Sequence, residues 1–319
     1  MSIKIGILTS GGDSPGMNAA IRAITYAAIN KGFEVFAIYD GYKGLLDKNI
    51  KQLNKEIVDE ISSRGGTIIR TARLPEFKKL EVRQQAALNL KELGINALVV
   101  IGGDGSYRGA LGLSDLGICC VAIPGTIDND IASSDFTIGF DTSLNTIVNA
   151  IDQIKDTGRS HSRCMVVEVM GNECDDLSIY SSIAEGADVL ISRNHMLSSS
   201  EVCKILKSKK ENGQNFALVI VSEKLIDVNA LITDITNNTG WDTRLTVLGH
   251  IQRGGTPTAM ERVNATRMGY YAVNLINDGI TGVCVGLKDN KIVHRNITEA
   301  LSFKNESSKE LLDIVDHIN

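Results

Sequence analysis

The sequence has no long run of basic residues, and its formal net charge is −5. Nucleic acid is therefore not expected as a partner, and an anionic ligand would have to be bound by arginines placed locally. No stretch approaches the roughly 18 apolar residues that a membrane span requires, so we expect no membrane partner. The strand-like opening at residues 3–9 is too short for the apolar core of a signal peptide, which predicts a cytoplasmic protein.

Other common signals are also absent. The six cysteines show no C-x-x-C spacing, and reduced thiols of a cytosolic protein explain them better than disulfides or a zinc site. No internal repeat or low-complexity tract is visible. The chain has 319 residues, 43% of them hydrophobic, which is ample for a buried core and suggests about two domains.

Three apolar segments, residues 3–9, 97–101 and 118–123, are predicted to be buried strands. The loops that follow them comprise residues 10–16, 102–106 and 124–130. In open α/β sheets, ligands bind at the carboxyl ends of the strands, where such loops lie. The first two loops open predicted helices, whose unpaired N–H groups favour phosphate, although the G-K-[ST] ending of a P-loop is absent. Tight turns that use glycine for backbone freedom are the alternative interpretation.

Carboxylates occupy the second and third of these loops. Asp104 lies within the second loop and could hold the Mg²⁺ of a bound phosphate. In the third loop, Pro124 and Gly125 are expected to end the strand, so that Asp128 and Asp130 project from an irregular segment. One such carboxylate can accept a proton while the other holds a metal ion. An acidic surface turn is the alternative interpretation.

The densest cluster of basic residues lies in the C-terminal third. Arg244 precedes His250 and Arg253, which stand beside a glycine pair and before a helix predicted to begin near Thr258. Such arginines suit a phosphate monoester, because a guanidinium can bind it through two N–H groups at once. Arg163, just before another predicted strand, is a further candidate phosphate ligand. An ion-pair cluster is the alternative interpretation.

A second run of alternating strands and helices begins near Phe140, where we place a domain change. Strands are predicted at residues 164–170 and 215–221. Trp241, the only tryptophan, lies in a polar turn and is given no functional role. An apolar helical stripe, predicted to be core, consists of Leu144, Ile147, Val148, Ile151 and Ile154.

Taken in order, these motifs resemble bacterial-type ATP-dependent 6-phosphofructokinase over nearly the whole chain. The resemblance includes the signature R-x₄-G-H-x-Q-R-G-G-x₅-E-R, which begins at Arg244 and ends at Arg262. The other matching motifs are Thr9-Ser10-Gly11-Gly12-Asp13, Gly102-Gly103-Asp104-Gly105-Ser106, the loop at 124–130 and Gly139-Phe140-Asp141-Thr142.

The resemblance implies an α/β fold with two similar three-layer domains and mostly parallel sheets. An ATP-binding domain would comprise residues 1–139 and 252–302, and a domain that binds fructose 6-phosphate would comprise residues 140–251 and 303–319. The implied assembly is a homotetramer whose active sites are shared between subunits. The implied reaction transfers the γ-phosphoryl group of ATP to the 1-hydroxyl of fructose 6-phosphate, with Mg²⁺ as cofactor, in glycolysis.

The same resemblance implies roles for individual residues. Asp128 is the base for the sugar hydroxyl, Thr126 and Arg73 assist the transfer, and Asp104 and Asp130 serve the metal. The residues implied to bind the nucleotide are Gly12, Tyr42, Arg73, Leu74, Gly103, Asp104, Gly105 and Ser106. Those implied to bind the sugar phosphate are Thr126, Ile127, Asp128, Met170, Gly171, Asn172, Glu223, Arg244, His250 and Arg253, with Arg163 reaching in from a neighbouring subunit.

The chain departs from the family pattern near the implied active site. Asn172 stands where an arginine usually touches the transferred phosphate, so a positive charge is lost there. Asp175 and Glu185 each replace a usual glycine. These changes keep open an alternative, a weakly active paralogue that binds sugar phosphate or serves as a regulatory subunit.

Two further implications concern effectors and the phosphoryl donor. At the family's effector site, Arg22 is kept and two positions are the lysines Lys55 and Lys155, which bind phosphate less well than arginine in a bidentate manner. Other usual basic positions have become Tyr26, Asn212 and Gln214. We therefore expect weak responses to a nucleoside diphosphate or phosphoenolpyruvate. Pyrophosphate-using relatives typically carry an aspartate at the position of Gly105 and a lysine at that of Gly125, so ATP is the expected donor.

Overall fold

The computed structural model describes residues 3–304 and 309–318. The chain forms two compact units. Unit 1 comprises Met1–Thr142 and Arg253–Asn305, and unit 2 comprises Ser143–Gln252 and Glu306–Asn319. The chain therefore passes between the units more than once. That one domain binds ATP and the other binds the sugar phosphate stays a prediction.

Strands and helices alternate along most of the chain, the pattern of an α/β protein. The strands are β1 (Lys4–Ser10), β2 (Glu34–Ile38), β3 (Ile50–Leu53), β4 (Ala97–Gly102), β5 (Cys119–Thr126), β6 (Ile138–Gly139), β7 (Arg163–Val169), β8 (Val189–Ile191), β9 (Ala217–Ser222), β10 (Asp242–Val247), β11 (Val283–Lys288) and β12 (Lys291–Asn296). The α-helices are α1 (Met17–Asn30), α2 (Gly41–Leu46), α3 (Lys55–Val58), α4 (Leu80–Glu92), α5 (Asp104–Ser114), α6 (Phe140–Ser160), α7 (Asp176–Glu185), α8 (Ser199–Glu211), α9 (Val228–Thr239), α10 (Ala259–Asn277), α11 (Ile297–Ala300) and α12 (Lys309–Ile318). Among the described residues, no helix combines the length and the apolar character that crossing a bilayer needs.

The strands of unit 1 form one mostly parallel sheet in the order β12-β11-β5-β4-β1-β2-β3, with β6 paired to β5. The edge strands β3 and β12 run antiparallel to their neighbours. Every residue of β4, at the centre, is buried. Parallel strands covered on both faces need apolar side chains on both sides, which explains why these segments are continuous apolar runs in the sequence.

Helices cover both faces of this sheet. Ile7 of β1 packs in one core cluster with Ile21 of α1 and Met268 of α10. The next residue, Leu8, belongs to a second cluster, which includes Leu90 of α4. Successive strand residues point to opposite faces, so the two clusters lie on either side of the sheet. The predicted three-layer α/β architecture is confirmed.

Unit 2 has a smaller parallel sheet in the order β10-β7-β9-β8. Val219 of β9 packs there with Leu206 of α8 and Ile235 of α9. Trp241 belongs to the same core, is 2% exposed, and donates its Nε1–H to Leu206 O at 3.2 Å. The prediction of a polar turn is therefore wrong for the environment of Trp241. Gly240, in the left-handed conformation, ends α9, and the next side chain enters the core.

The end of β5 also differs from the prediction. The strand continues through Pro124 and Gly125 to Thr126, so these two residues do not end it. Pro124 pairs with Gly102 in the last pair between β4 and β5, and Gly125 pairs with Ile138 of β6. Proline has a φ compatible with extended backbone and lacks only one N–H, which the end of a ladder tolerates.

Candidate functional site

The loop after β1 accepts hydrogen bonds from the loop after β4 and from Thr71, all within unit 1. The Ser106 hydroxyl donates to Ser10 O at 3.0 Å, and Thr71 Oγ1 donates to Gly11 O at 2.9 Å. Gly11 and Gly16 have φ values of 93° and 99°, which residues with a side chain rarely adopt. The predicted glycine-rich turn before α1 therefore has a backbone that requires glycine.

The glycines of the second loop serve different purposes. A Cβ on Gly102 would lie 2.3 Å from Ser10 O, so close packing of the two loops excludes a side chain there. A Cβ on Gly103 or Gly105 would meet nothing within 4 Å. Gly103 is the N-cap of α5 and has an ordinary φ of −88°. Packing therefore does not explain these two glycines, and their predicted role of leaving space for a phosphate at the helix N-terminus stays a prediction.

Tyr42 supports the second loop from within the core. Its hydroxyl donates to Ser106 O at 2.6 Å, and its ring stacks on Phe77 with centroids 4.0 Å apart. Burial raises the pKa of Tyr42 well above its usual range. Arg73 is exposed and Leu74 is half-buried, in the segment before the 3₁₀ helix. The predicted contacts of these residues with a nucleotide stay predictions.

The third loop is held by hydrogen bonds beyond the end of β5. Asn129, at a φ of 53°, donates from Nδ2 to Asp135 O at 3.1 Å and accepts the Thr137 N–H at 2.9 Å. Thr137 Oγ1 donates to Thr126 O at 2.7 Å. The Asp128 N–H donates to Thr126 Oγ1 at 3.2 Å, and Asp128 is 6% exposed. The segment therefore keeps Asp128 in a buried position beside Thr126.

The carboxylate of Asp130 acts on that of Asp104. Burial raises the pKa of the Asp104 carboxyl, the charge of Asp130 raises it further, and Arg108 lowers it. A divalent cation would relieve this repulsion, and carboxylate oxygens are ligands that Mg²⁺ prefers. The described residues contain no group of three or more His, Cys, Asp or Glu side chains that could hold a metal. A Mg²⁺ ion at this pair would therefore complete its coordination with water or substrate phosphates.

Arg253 lies in unit 1, against the first loop. A Cβ on Gly12 would be 2.4 Å from Arg253 Nη1, so the guanidinium occupies the space of a side chain at position 12. The same nitrogen donates to Asp13 O at 3.4 Å. Arg253 is thus grouped with a loop predicted to bind ATP. Seven other residues predicted to bind the sugar phosphate belong to unit 2, namely Met170, Gly171, Asn172, Glu223, Arg244, His250 and Arg163.

Glu261 is a buried carboxyl that our predictions do not include. It is 3% exposed, in the first turn of α10, and its N–H donates to Thr258 Oγ1 at 3.1 Å. Glu261 Oε2 accepts the Thr142 N–H and hydroxyl, both at 3.2 Å, which ties α10 to the start of α6. Burial raises the pKa of Glu261 to about 7, although hydrogen bonds from the Gly139 and Thr142 backbone lower it. The acidic residue near the end of the signature is the sequence signal that could have identified it.

Gln252 is a second residue that the predictions omit, although it also belongs to the signature. Its side chain is fully buried in unit 2. Gln252 Oε1 accepts the Met170 N–H at 3.0 Å, and Nε2 donates to Gly249 O at 2.9 Å. The glutamine thereby connects the segment after β7 to the 3₁₀ turn that carries His250.

Asn172 and Glu223, both predicted to bind the sugar phosphate, are in contact. The Asn172 N–H donates to Glu223 Oε1 at 3.3 Å, and Asn172 has a φ of 52°. A Cβ on Gly171 would lie 2.5 Å from Cys174 O, so the turn excludes a side chain there. Burial raises the pKa of Glu168, and the charge of Glu223 raises it further. The end of β7 therefore carries acidic groups close to these residues.

Arg163 and Arg244 share one carboxylate. Arg163 Nε donates to Asp242 Oδ2 at 2.7 Å, and Arg244 Nη1 lies 2.6 Å from Asp242 Oδ1. The register of β7 and β10 places Asp242 opposite Arg163. The Arg163 hydrogen bond, above all, lowers the pKa of Asp242. Both arginines thus form ion pairs within the chain, and phosphate binding by them stays a prediction.

Two predicted effector residues are already paired with carboxylates. In unit 2, Lys155 Nζ lies 2.7 Å from Glu185 Oε2, and 14% and 3% of the two side chains are exposed. Lys155 also donates to Glu185 O at 2.9 Å. In unit 1, Arg22 Nη2 lies 3.3 Å from Asp59 Oδ1. An anionic effector would have to displace these partners.

Similarity to known proteins extends over most of the chain. The phosphofructokinase family model matches residues 4–276. The chain is 50% identical, over 298 residues, to the ATP-dependent 6-phosphofructokinase of Vibrio cholerae, and the match covers 93% of each chain. It is 49% identical, over 316 residues, to the ATP-dependent 6-phosphofructokinase of Photobacterium profundum, with 99% of each chain covered. Among solved structures, phosphofructokinase from Saccharomyces cerevisiae is similar, with a TM-score of 0.88 and 37% identity over 94% of this chain and 45% of the yeast chain.

Proposed function

The chain belongs to the phosphofructokinase family, and from this premise we propose that it phosphorylates fructose 6-phosphate. The γ-phosphoryl group of ATP is transferred to the sugar 1-hydroxyl, giving fructose 1,6-bisphosphate and ADP in glycolysis. The observation that carries the proposal is Asp128, buried at 6% exposure beside Thr126 at the carboxyl end of β5. Asp128 follows β5, which belongs to the same sheet as β1 and β4, the strands that precede the two glycine loops. This is the edge of the sheet where such folds bind their ligands.

Asp128 acts as the general base in this proposal. Phosphoryl transfer passes through a loose transition state, so the protein mainly positions the reactants and neutralises charge. The sugar hydroxyl becomes a strong nucleophile only as its proton leaves, and Asp128 accepts that proton late in the transfer. The hydrogen bonds of Asn129 and Thr137 keep the carboxylate in position, and Thr126 contacts the substrate.

Asp104 and Asp130 would hold Mg²⁺, because a cation would offset the charge of Asp130, which together with burial raises the pKa of the Asp104 carboxyl. When bound, the ion neutralises charge on the phosphate oxygens. Assigning the metal to this pair leaves Asp128 to accept the proton. The remaining residues assigned to the nucleotide are Gly12, Tyr42, Arg73, Leu74, Gly103, Gly105 and Ser106.

The sugar phosphate is assigned to residues of both units. Asp128, Thr126, Ile127 and Arg253 belong to unit 1. The unit 2 residues are Met170, Gly171, Asn172, Glu223, Arg244 and His250, with Arg163 supplied by a neighbouring subunit. The proposal therefore includes a homotetramer that shares its active sites, located in the cytoplasm, where both substrates are available.

ATP rather than pyrophosphate is the proposed donor. A Cβ on Gly105 would meet nothing within 4 Å, so space is present where a nucleotide's α-phosphate would lie. A Cβ on Gly125 would lie 2.9 Å from Met17 Cε and 3.0 Å from Ile101 Cγ2, so a lysine there would disturb the core. Neither position carries the charged residue typical of pyrophosphate-using relatives.

A coupled assay on the purified oligomer tests the proposal. The parent protein should turn over fructose 6-phosphate faster with ATP than with pyrophosphate. Asp128→Asn should lower turnover by at least about 10²-fold, the low end for general base catalysis, while equilibrium binding of fructose 6-phosphate persists. Asp115→Asn, at an exposed position at the end of α5, is a matched control outside the reacting groups. Absent turnover in the parent would favour the regulatory paralogue, and near-parental turnover in Asp128→Asn would refute the role of the base.

A further inference from the structure

The start of α10 departs from a common helix-start motif. Thr258 is the N-cap and Glu261 follows three residues later, the spacing of a capping box, in which the glutamate side chain accepts the N-cap N–H. Helix α8 has the usual form, because the Ser198 N–H donates to Glu201 Oε2 at 2.8 Å. In α10, the Thr258 N–H donates instead to Thr142 Oγ1 at 3.2 Å. The Glu261 carboxyl is therefore used outside its own helix.

This carboxyl binds the end of β6 and the residues that follow it. Glu261 Oε2 accepts the N–H and the hydroxyl of Thr142, both at 3.2 Å, and the Gly139 backbone forms a hydrogen bond with the same carboxyl. Glu261 is only 3% exposed. A buried N–H that loses its acceptor is costly, so these bonds fix the backbone at Gly139 and Thr142.

Strand β6 in turn supports the segment that carries Asp128. Gly139 pairs with Thr126 at the end of β5. Thr137, just before β6, donates its hydroxyl to Thr126 O at 2.7 Å and its N–H to Asn129 Oδ1 at 2.9 Å. Asp128 thus lies between two residues, Thr126 and Asn129, that are both bonded to the chain at β6. All of these residues belong to unit 1.

The start of α1 packs closely against both β6 and Glu261. The Ser14 hydroxyl donates to Ile138 O at 2.7 Å. A Cβ on Gly16 would lie 2.8 Å from Ile138 Cγ2 and equally close to Glu261 Cγ. Close-packed interiors transmit a displacement rather than absorb it. A change at Glu261 should therefore be felt along β6.

We propose that Glu261 is a positioning residue for phosphoryl transfer, which holds β6 and, through β6, the segment that carries Asp128. Glu261 binds no substrate in this proposal. The inference rests on the proposed function and concerns the placement of its general base. A misplacement of about 1 Å can lower a rate by about 10²-fold, so a residue outside the reacting groups can control turnover.

Two variants of similar length separate the hydrogen bonds of Glu261 from its volume. Glu261→Met keeps a long side chain but offers no oxygen to Gly139 and Thr142. Its kcat should fall by at least about tenfold, with a smaller change in the KM for fructose 6-phosphate, because the base is displaced. Glu261→Gln keeps a side-chain carbonyl as acceptor, so its kcat should stay within about threefold of the parental value.

Leu275→Ala controls for lost stability. Leu275 is 4% exposed, lies near the other end of α10 and belongs to the core of unit 1. The cavity should lower Tm, while kcat measured well below Tm should stay parental. Equal kcat values for Glu261→Met and Glu261→Gln would overturn the proposal. A loss of kcat in Leu275→Ala as large as that in Glu261→Met would also overturn it.

Hydrogen exchange tests the inference without turnover. The Thr137 N–H, bonded to Asn129, should exchange at least about fivefold faster in Glu261→Met than in the parent, because the acceptor that holds β6 is lost. The Ile57 N–H, bonded to Asn54 Oδ1 at 2.9 Å, is the reference and should exchange equally in both. Equal protection of Thr137 in parent and variant would overturn the inference. Absent turnover in the parent would refute the proposed function, and the exchange of Thr137 would still decide whether Glu261 holds this segment.

Discussion

The loops of unit 1 and those of unit 2 are built in different ways. In unit 1, the segments after β1 and β4 are shaped by glycines, with Gly11 at positive φ and Gly102 packed against Ser10 O. In unit 2, the segments after β7 and β8 are shaped mainly by the hydrogen bonds of the Asp175 and Gln252 side chains, although the turn at Gly171 also excludes a Cβ. The loops of unit 1 therefore depend on positions without a side chain, and those of unit 2 depend on side chains that form specific hydrogen bonds.

This difference explains where the chain departs from its family. Two positions of these loops exclude a side chain, because Gly11 has a positive φ and a Cβ on Gly102 would lie 2.3 Å from Ser10 O. A loop shaped by side chains can change where new partners form, as Asp175 does by accepting the N–H groups of Arg193 and Asn194. Unit 2 departs from the family at Asn172 and Asp175 in such a segment and at Glu185 at the end of α7, while the glycine motifs of unit 1 match the family.

The largest effect is expected at Glu261. This residue is an exception to the comparison, because its side chain connects two backbone segments within unit 1. Its pKa rises from 4.5 to about 7 on folding, so the folded protein binds more protons than the unfolded chain between these values. Stability from protonation is therefore present below the unfolded pKa and lost as pH rises through about 7, a difference of about 3 kcal/mol. Glu261→Gln cannot ionise, and its Tm should fall less than that of the parent over this pH range.

Differential scanning calorimetry across the range measures this effect. Glu211→Gln, at an exposed position of α8, is the control and should keep the parental pH dependence. The same pH dependence in Glu261→Gln as in the parent would show that Glu261 does not titrate in this range.

A smaller effect is expected when two glycines of the loop after β4, Gly102 and Gly103, are each replaced by alanine. Gly102→Ala places a methyl group 2.3 Å from Ser10 O, and overpacking of this kind costs about 1–3 kcal/mol, so Tm should fall. Gly103→Ala meets nothing within 4 Å and should keep the parental Tm. Its methyl group would occupy the space proposed for a nucleotide phosphate, so its KM for ATP should rise by about tenfold. Equal Tm values for the two variants, or an unchanged KM for ATP in Gly103→Ala, would contradict this division of roles.

The smallest expected effect concerns effectors. Millimolar ADP or phosphoenolpyruvate should barely shift the fructose 6-phosphate saturation curve of the parent, because Lys155 is already paired with Glu185. Glu185→Gln leaves a buried cation without its partner, and the effector should then shift the curve further than in the parent or in the control Glu211→Gln. A several-fold shift of the parental curve at micromolar effector would show that the pair yields readily to a phosphate.

Much of the fold and part of the site could be predicted from the sequence. The buried strands and the loops after β1 and β4 were predictable because their signals are local, an apolar run followed directly by glycine. The exception is the end of β5. Pro124 and Gly125 predict the end of the strand, but the two residues pair with Gly102 and Ile138. The residues around Pro124 and Gly125 do not indicate that neighbouring strands pair with them.

Hydrogen-bond partners that lie far apart in the sequence could not be predicted. Arg193 and Asn172 are 21 residues apart, Met170 and Gln252 are 82 apart, and Thr142 and Glu261 are 119 apart. Nothing in the spacing of such residues indicates contact. The burial of Trp241 likewise depends on helices packed from elsewhere in the chain.

The sequence by itself determined the α/β class, the family and the glycine loops, because these follow from short-range periodicity and from residues that a backbone conformation requires. Only the tertiary structure decided which charges are neutralised and which remain available: Lys155 by Glu185, Arg163 and Arg244 by Asp242, and Arg193 held beside Asn172. The physical reason is that an ion pair depends on a distance of a few ångströms in space, which chain folding sets and residue order does not.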